Sequence, residues 1–250
     1  WAAGLAFYHI KTDRLNLKEY EGQMTLYDAY IAQGLIRDDE RNGGNVTQLR
    51  AGLVYDSRNH DSDPTRGENI ELSLVYAPDL IDAGGYSNLG VHLSLCQYLP
   101  IFSDRLTFAY RALVQAKLWG EIPYYFTNNI NSMFFRKMYT EGLGGNASVR
   151  GLNRNGVLGD GFLMLNTELR WRIYDFKFIN QNWQIATNPF FDLGKIIQPY
   201  RLDEQKAAIG MYQGDESKPH FTAGLGIKLI MNHNMVISFE GGKPFNSNDG

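Results

Sequence analysis

The chain has 250 residues, a mass of 28.4 kDa and a formal net charge of −3. Hydrophobic residues make up 44% and charged residues 20%, with 14 Phe, 15 Tyr and 4 Trp, a mixture too apolar and aromatic for a disordered chain. No aliphatic stretch approaches the roughly 18 to 20 residues of a spanning helix, a pI near 6.0 supplies no basic footprint for nucleic acid, and one cysteine, Cys96, excludes an intrachain disulfide framework or a multi-cysteine metal site.

The sequence opens on Trp1 with neither a charged nor an apolar leader region, so any secretory signal would lie outside this segment. Ala2 to His9 is the first of several runs in which apolar residues alternate with polar or small ones, the period of a strand. A long connection follows, from Ile10 to Asn45. Within it Thr25 to Ile36 places Leu26, Tyr30 and Ile31 at helical spacing with Gly34 as a stop, which predicts a short surface helix.

From Thr47 to Tyr55, Leu49, Ala51, Leu53 and Tyr55 share one face while Gln48, Arg50 and Gly52 share the other. Ile70, Leu72, Leu74 and Tyr76 oppose Glu71 and Ser73. Val91, Leu93 and Leu95 oppose His92, Ser94 and Cys96, and Phe108, Tyr110, Ala112 and Val114 oppose Arg111, Gln115 and Lys117. Leu163, Leu165, Leu169 and Trp171 oppose Asn166, Glu168, Arg170 and Arg172. Trp183, Ile185, Phe191 and Leu193 oppose Asn182, Gln184, Asn188 and Asp192. Ala223, Leu225, Ile227 and Leu229 oppose Gly224, Gly226 and Lys228, and Met235, Ile237 and Phe239 oppose Ser238 and Glu240. The pattern predicts about nine strands.

A soluble sandwich alternates in the same way, with its apolar face inward. Here the other face carries mid-strand charges such as Arg50, Arg111, Lys117, Glu168, Arg170, Asp192 and Glu240, which suits a wet lumen inside an apolar outer band. The connections also alternate in length. The stretches 10–45, 121–161 and 195–220 are long, whereas Arg58 to Gly67, Pro100 to Arg105, Asp175 to Gln181 and Asn232 to Asn234 are short. Long loops therefore fall at one end of the sheet, as when strands shuttle between an outer surface and the periplasm. The fold class read from this is all-β, an antiparallel transmembrane β-barrel.

Catalytic signatures are sparse. No phosphate-binding loop, His-Glu-x-x-His or dinucleotide fingerprint is present, and Gly142-Leu143-Gly144-Gly145 lacks a strand-to-helix context. His60, His220 and His233 are expected to be solvated in loops or turns. His92 and Ser94 share a strand face as a histidine base and serine nucleophile would, but lipid hydrolysis wants them at the lipid surface, which Val91, Leu93 and Leu95 claim. Cys96 on the same face reads as a small packing residue. No cofactor and no metal is expected.

A stronger constellation lies in the longest loop. Gly144-Gly145-Asn146-Ala147-Ser148-Val149-Arg150-Gly151-Leu152 permits a re-entrant backbone with an arginine at its tip, and Glu168 and Asp192 on lumenal faces offer carboxylates for a bidentate pair. The alternative is a solvated arginine on a surface loop.

At these residues the chain resembles the bacterial surface antigen superfamily, the barrels of BamA and TamA type insertases. Val149-Arg150-Gly151-Leu152 resembles the family's Val-Arg-Gly-aromatic loop motif, with Leu152 where Phe or Tyr is usual. Phe190-Phe191-Asp192-Leu193-Gly194 is similar to its Phe-x-Asp-x-Gly strand motif, and Asn166-Thr167-Glu168-Leu169-Arg170 to the strand after the loop. Tyr55 to Asn59 with Asp63 to Gly67 resembles a recurring strand and turn, and Met231 to Asn234 and Phe245 to Gly250 resemble the last hairpins of Bacteroides-type members.

The resemblance implies a barrel of 16 strands in the bacterial cell outer membrane, with residues 1–250 forming part of one barrel domain, about its seventh through fifteenth strands. It implies that Val149, Arg150, Gly151 and Leu152 lock the loop in the lumen against Glu168, Phe190, Asp192 and Gly194. The implied activity is noncovalent: assembly, insertion or translocation of outer-membrane proteins by strand templating at a lateral seam. The implied partners are outer-membrane lipids and nascent outer-membrane proteins or assembly factors, with no nucleic acid. The other reading is a lone barrel with a pore, partner-binding or structural role, since fold alone does not set function.

Overall fold

A computed structural model describes residues 1–14, 22, 24–80, 84–127, 129–130, 142–154, 157, 159–201 and 218–246. The strands are β1 (Ala2–Ile10), β2 (Gly44–Asp56), β3 (Gly67–Ala77), β4 (Asn88–Phe102), β5 (Leu106–Gly120), β6 (Gly159–Phe178), β7 (Gln181–Thr187), β8 (Phe190–Pro199), β9 (His220–Met231) and β10 (Met235–Pro244). They form one antiparallel sheet in sequence order, so successive connections fall at opposite ends.

β7 and β8 occupy a single place in this wall. β7 pairs with the Trp171–Phe178 part of β6 and β8 with its Gly159–Glu168 part, and both pair with β9. The interruption is at Asn188-Pro189, where proline has no N–H to give to a ladder. The alternation read as one run from Trp183 to Leu193 is thus two elements in line, and the wall has nine positions. β1 and β10 end the path and, among the described residues, are not paired with each other.

The two faces separate sharply. Leu53, Leu72, Leu74, Leu93, Trp171, Leu225, Ile227 and Phe239 are exposed, whereas their polar neighbours Arg50, Glu71, Ser73, His92, Gln115, Asp192 and Thr222 are buried. A sheet whose apolar side chains face outward and whose ionic side chains face inward is built for a surrounding of hydrocarbon and an interior that pairs its own charges. No described helix is long and apolar enough to cross a membrane, which says nothing of strands.

Two of the tight turns follow the twist preference of hairpins. Ile179 and Asn180 join β6 to β7, and Asn232, His233 and Asn234 join β9 to β10; Ile179, Asn180, Asn232 and His233 have positive φ, between 49° and 59°. The β2–β3 turn does more than reverse the chain. Asp63 crosses to Arg172 on β6 at 2.6 Å and to His233 at 3.0 Å, and the Pro64 carbonyl accepts from Arg170 at 3.3 Å. His60 stacks on His233 with ring centroids 4.4 Å apart. The expected solvation of the histidines is corrected here: His233 is engaged across the lumen, His60 is held against its ring, and His220 at the start of β9 is buried.

At the opposite end the expected helix forms over Leu26–Ala32. Thr25 and Asp28 make a capping box, and Gly34, the expected stop, follows the C-cap Gln33 with φ 75°.

Candidate functional site

The tip of the loop between β5 and β6 enters the lumen, and its apolar residues explain why. Leu143, Val149 and Leu152 are buried against Leu113 of β5, Phe162 and Met164 of β6, and Ile196 of β8. Burial of such side chains contributes roughly 1.5–3 kcal/mol each, enough to hold a segment that has no ladder of its own. The loop backbone is tied as well. Arg111 of β5 donates to the Ala147 carbonyl at 2.5 Å, and Asn166 of β6 donates to the Ser148 carbonyl at 2.7 Å.

This docking places Arg150 among three carboxylates. Its Nε and Nη2 donate to the two oxygens of Asp192, both at 2.8 Å, in a bidentate pair, and its backbone N–H donates to Asp192 Oδ2 at 3.1 Å. Nη1 reaches Glu168 at 3.2 Å and Glu240 of β10 at 3.0 Å. The guanidinium lies 3.7 Å from the centroid of the Phe190 ring, which covers it from one side. The Asp192 side chain is 0% exposed and that of Arg150 11%.

Charge is balanced across the cluster. Arg170 donates to Glu168 at 2.5 Å, Lys228 of β9 lies 3.4 Å from Glu168 and 3.6 Å from Glu240, and Asn188 donates to both glutamates. Arg150, Arg170 and Lys228 therefore face Glu168, Asp192 and Glu240. A buried set of this kind is tolerable because each charge is paired and hydrogen-bonded; removing one member leaves an unpaired charge.

Two glycines make the approach possible. Gly151 has φ 93°, and a Cβ there would stand 2.8 Å from the Gly242 carbonyl carbon and 3.0 Å from Lys243 N on β10. A Cβ on Gly194 would meet Val149 Cγ2 at 2.7 Å. The residues expected for the loop lock, Val149, Arg150, Gly151 and Leu152 with Glu168, Phe190, Asp192 and Gly194, meet at this one place. Leu152, in the position of the usual aromatic, is buried in the apolar cluster.

The model of the Omp85 superfamily domain matches residues 4–250. The chain belongs to the Omp85 superfamily. The structure is also similar to that described as "The crystal structure of BamA from Haemophilus ducreyi lacking POTRA domains 1-3", with a TM-score of 0.60 and 16% sequence identity. That match covers 98% of this chain and 47% of the BamA chain, so the chain spans about half the length of the structure it matches. Comparison with curated proteins gave no match. The fold is accordingly that of an Omp85 barrel, and the protein is an outer-membrane β-barrel of that superfamily.

Three parts of this Omp85 lumen were not singled out from the sequence. Glu240 was visible only as a charge on the last strand, 90 residues from Arg150. The lumenal apolar patch at Phe162, Met164 and Ile196 interrupts the polar face, and its signal was the lack of alternation at the start of β6. The third is a knot at the long-loop end. Glu40 is fully buried, accepts from both terminal nitrogens of Arg201, and accepts the backbone N–H groups of Arg37 and Tyr124 at 2.9 and 2.8 Å. Arg37 in turn pairs with Glu121, and Tyr86 donates to Asp39 at 3.1 Å, so three connections meet at the Glu40 carboxylate and a fourth joins them through Asp39.

His92 and Ser94 lie on the lumenal face and are buried, away from the lipid-facing surface on which a phospholipase pair would act. Cys96 lines a lumenal cavity of about 320 Å³ together with Tyr98, Arg111, Arg150 and Glu168. Among the described residues no three His, Cys, Asp or Glu side chains group as a metal site.

Proposed function

We propose that this chain is wall and lock of an insertase or translocator barrel that assembles outer-membrane proteins by strand templating at a lateral seam, without covalent catalysis. The observation that supports this reading is the Arg150 cluster: a re-entrant loop pinned through β6, β8 and β10 stiffens the wall beside its last described strand. A stiff wall lets opening concentrate at a weaker seam, where unpaired N–H and C=O groups can accept an incoming strand.

In this reading residues 1–250 form part of one barrel domain, about its seventh through fifteenth strands, with loops 10–45, 121–161 and 195–220 extracellular and the tight turns periplasmic. The roles of Val149, Arg150, Gly151 and Leu152 as the lock, and of Glu168, Phe190, Asp192 and Gly194 as its seat, belong to the same proposal. Its partners are outer-membrane lipids and nascent outer-membrane proteins with their assembly factors.

The test is complementation with the full-length gene. Cells depleted of the wild-type protein and supplied with Arg150→Ala should accumulate unassembled outer-membrane proteins while the variant itself still reaches the membrane. Normal assembly with conductance altered instead would favour a pore. Purified protein should release no fatty acid from phospholipid; release that Ser94→Ala abolished would establish an enzyme.

A further inference from the structure

The outward apolar face carries a hydrogen-bonded polar row on β3, β4 and β5. Strand alternation turns Glu68, Gln97 and Tyr110 outward, because their chain neighbours Asn69 and Ala109 are buried, Tyr98 lies under Arg170, and Arg111 reaches the docked loop inside the lumen. The three stand abreast, with Gln97 the ladder partner of both others. Tyr110 donates its hydroxyl to Gln97 Oε1 at 2.6 Å, and Gln97 Nε2 donates to Glu68 Oε2 at 3.3 Å. On one side lie Ile70, Leu95 and Ala112, and on the other Leu99 and Phe108.

Both hydrogen bonds run toward the carboxylate, so the relay presents Glu68 as an acceptor. A carboxylate has about four acceptor sites, and one amide donor leaves most of them open. At the membrane interface a lipid-face carboxylate costs little, so its open acceptor sites are free to take a donor from a lipid headgroup. Glu68 directly follows Gly67, the first residue of β3 after the tight turn, which puts it near headgroup depth. A ligand that fits must bring positive charge, N–H donors and a hydrocarbon body that lies along Leu95, Leu99 and Phe108.

We propose that Glu68, Gln97 and Tyr110 form a headgroup site for a phospholipid with a primary ammonium, a phosphoethanolamine lipid. The leaflet concerned rests on the orientation proposed above, which makes the tight turns periplasmic; binding itself does not. A choline headgroup carries the same charge but has no N–H to donate, so it discriminates hydrogen bonding from plain attraction.

The experiment is native mass spectrometry of the full chain released from nanodiscs containing equal parts of phosphatidylethanolamine, phosphatidylcholine and phosphatidylglycerol. The wild type should retain phosphatidylethanolamine about tenfold over phosphatidylcholine, the ratio one charge-assisted hydrogen bond carries. Glu68→Gln should abolish that preference and Gln97→Leu should weaken it, with heat-modifiable gel migration verifying the fold of each. If Glu68→Gln does not fold, Gln97→Leu alone decides. Equal retention of the two zwitterionic lipids, a preference unchanged in the folded variants, or a protein captured through Glu68 in place of lipid would overturn the proposal. Both leaflets of a nanodisc are alike, so failure there leaves the orientation standing, which cysteine labelling of Asp61→Cys from outside intact cells tests separately.

Discussion

Replacing Arg150 with alanine removes one cation from a set of three cations and three anions and strands Asp192, whose side chain is 0% exposed. Asp192 would keep the backbone N–H of residue 150 at 3.1 Å only if the loop stayed docked. Breaking a buried, hydrogen-bonded ion pair by deleting one partner costs about 3–5 kcal/mol. The apolar seat of Leu143, Val149 and Leu152 survives the substitution, so the expected result is a looser loop on an intact wall. A loss of about 3 kcal/mol raises the population of the undocked loop by roughly 150-fold, since 1.4 kcal/mol is a factor of ten. Chymotrypsin is the suitable probe, because Arg150 is itself a tryptic site and Leu143 and Leu152 lie within the loop. Under conditions where opening is fast, cleavage follows that population. Adding Asp192→Asn to Arg150→Ala should recover part of the loss, because the stranded charge is gone. Cleavage of Arg150→Ala within a factor of two of wild type, or a double variant no better than the single, would refute the ionic account of the docking.

Arg150→Lys should fall between wild type and alanine, because an ammonium keeps the charge but cannot make the bidentate pair with Asp192 while reaching Glu168 and Glu240; the same digestion ranks the three. Gly151→Ala should undock the loop from β10, with a cost of about 1–3 kcal/mol from its φ of 93°, seen as faster amide exchange in residues 144–152. Glu40→Ala should leave Arg201 buried without its carboxylate and cost about 3–5 kcal/mol locally, with exchange rising together in residues 37–43 and 124–127 while β4 and β5 stay protected. Burial, ahead of the nearby Glu40 carboxylate, pushes the Tyr86 hydroxyl up to about 12. The fold favours the protonated phenol, so its contribution is intact below the ordinary value of 10 and is lost as pH rises from 10 to about 12. An ultraviolet titration of wild type minus Tyr86→Phe should show that late ionisation.

Much of the wall was legible because a period of two is a local property: Leu49, Leu53 and Leu72 are apolar in the sequence and outward in the structure for the same reason. The ends were less so. Proline at 189 splits a run of alternation that reads as a single strand in the sequence. At the site, Arg150, Glu168 and Asp192 could be singled out by charge and face, but Glu240 looks like any lumenal glutamate until the sheet curls and brings β10 to the loop. The histidines misled because His60 and His233 sit in turns, where solvation is the ordinary outcome, and only the inward fold of the β2–β3 turn stacks them.

The sequence by itself determined that this chain forms an antiparallel wall with an apolar outside and a charged inside, and that its longest loop carries an arginine fit for a carboxylate. Both follow from side-chain chemistry at short spacing, which needs no knowledge of the distant chain. Only the tertiary structure decided that the arginine serves three carboxylates under one aromatic ring, and that one lipid-facing row is polar. Those arrangements depend on strand register and on the curl of the sheet, which set together residues up to 90 positions apart.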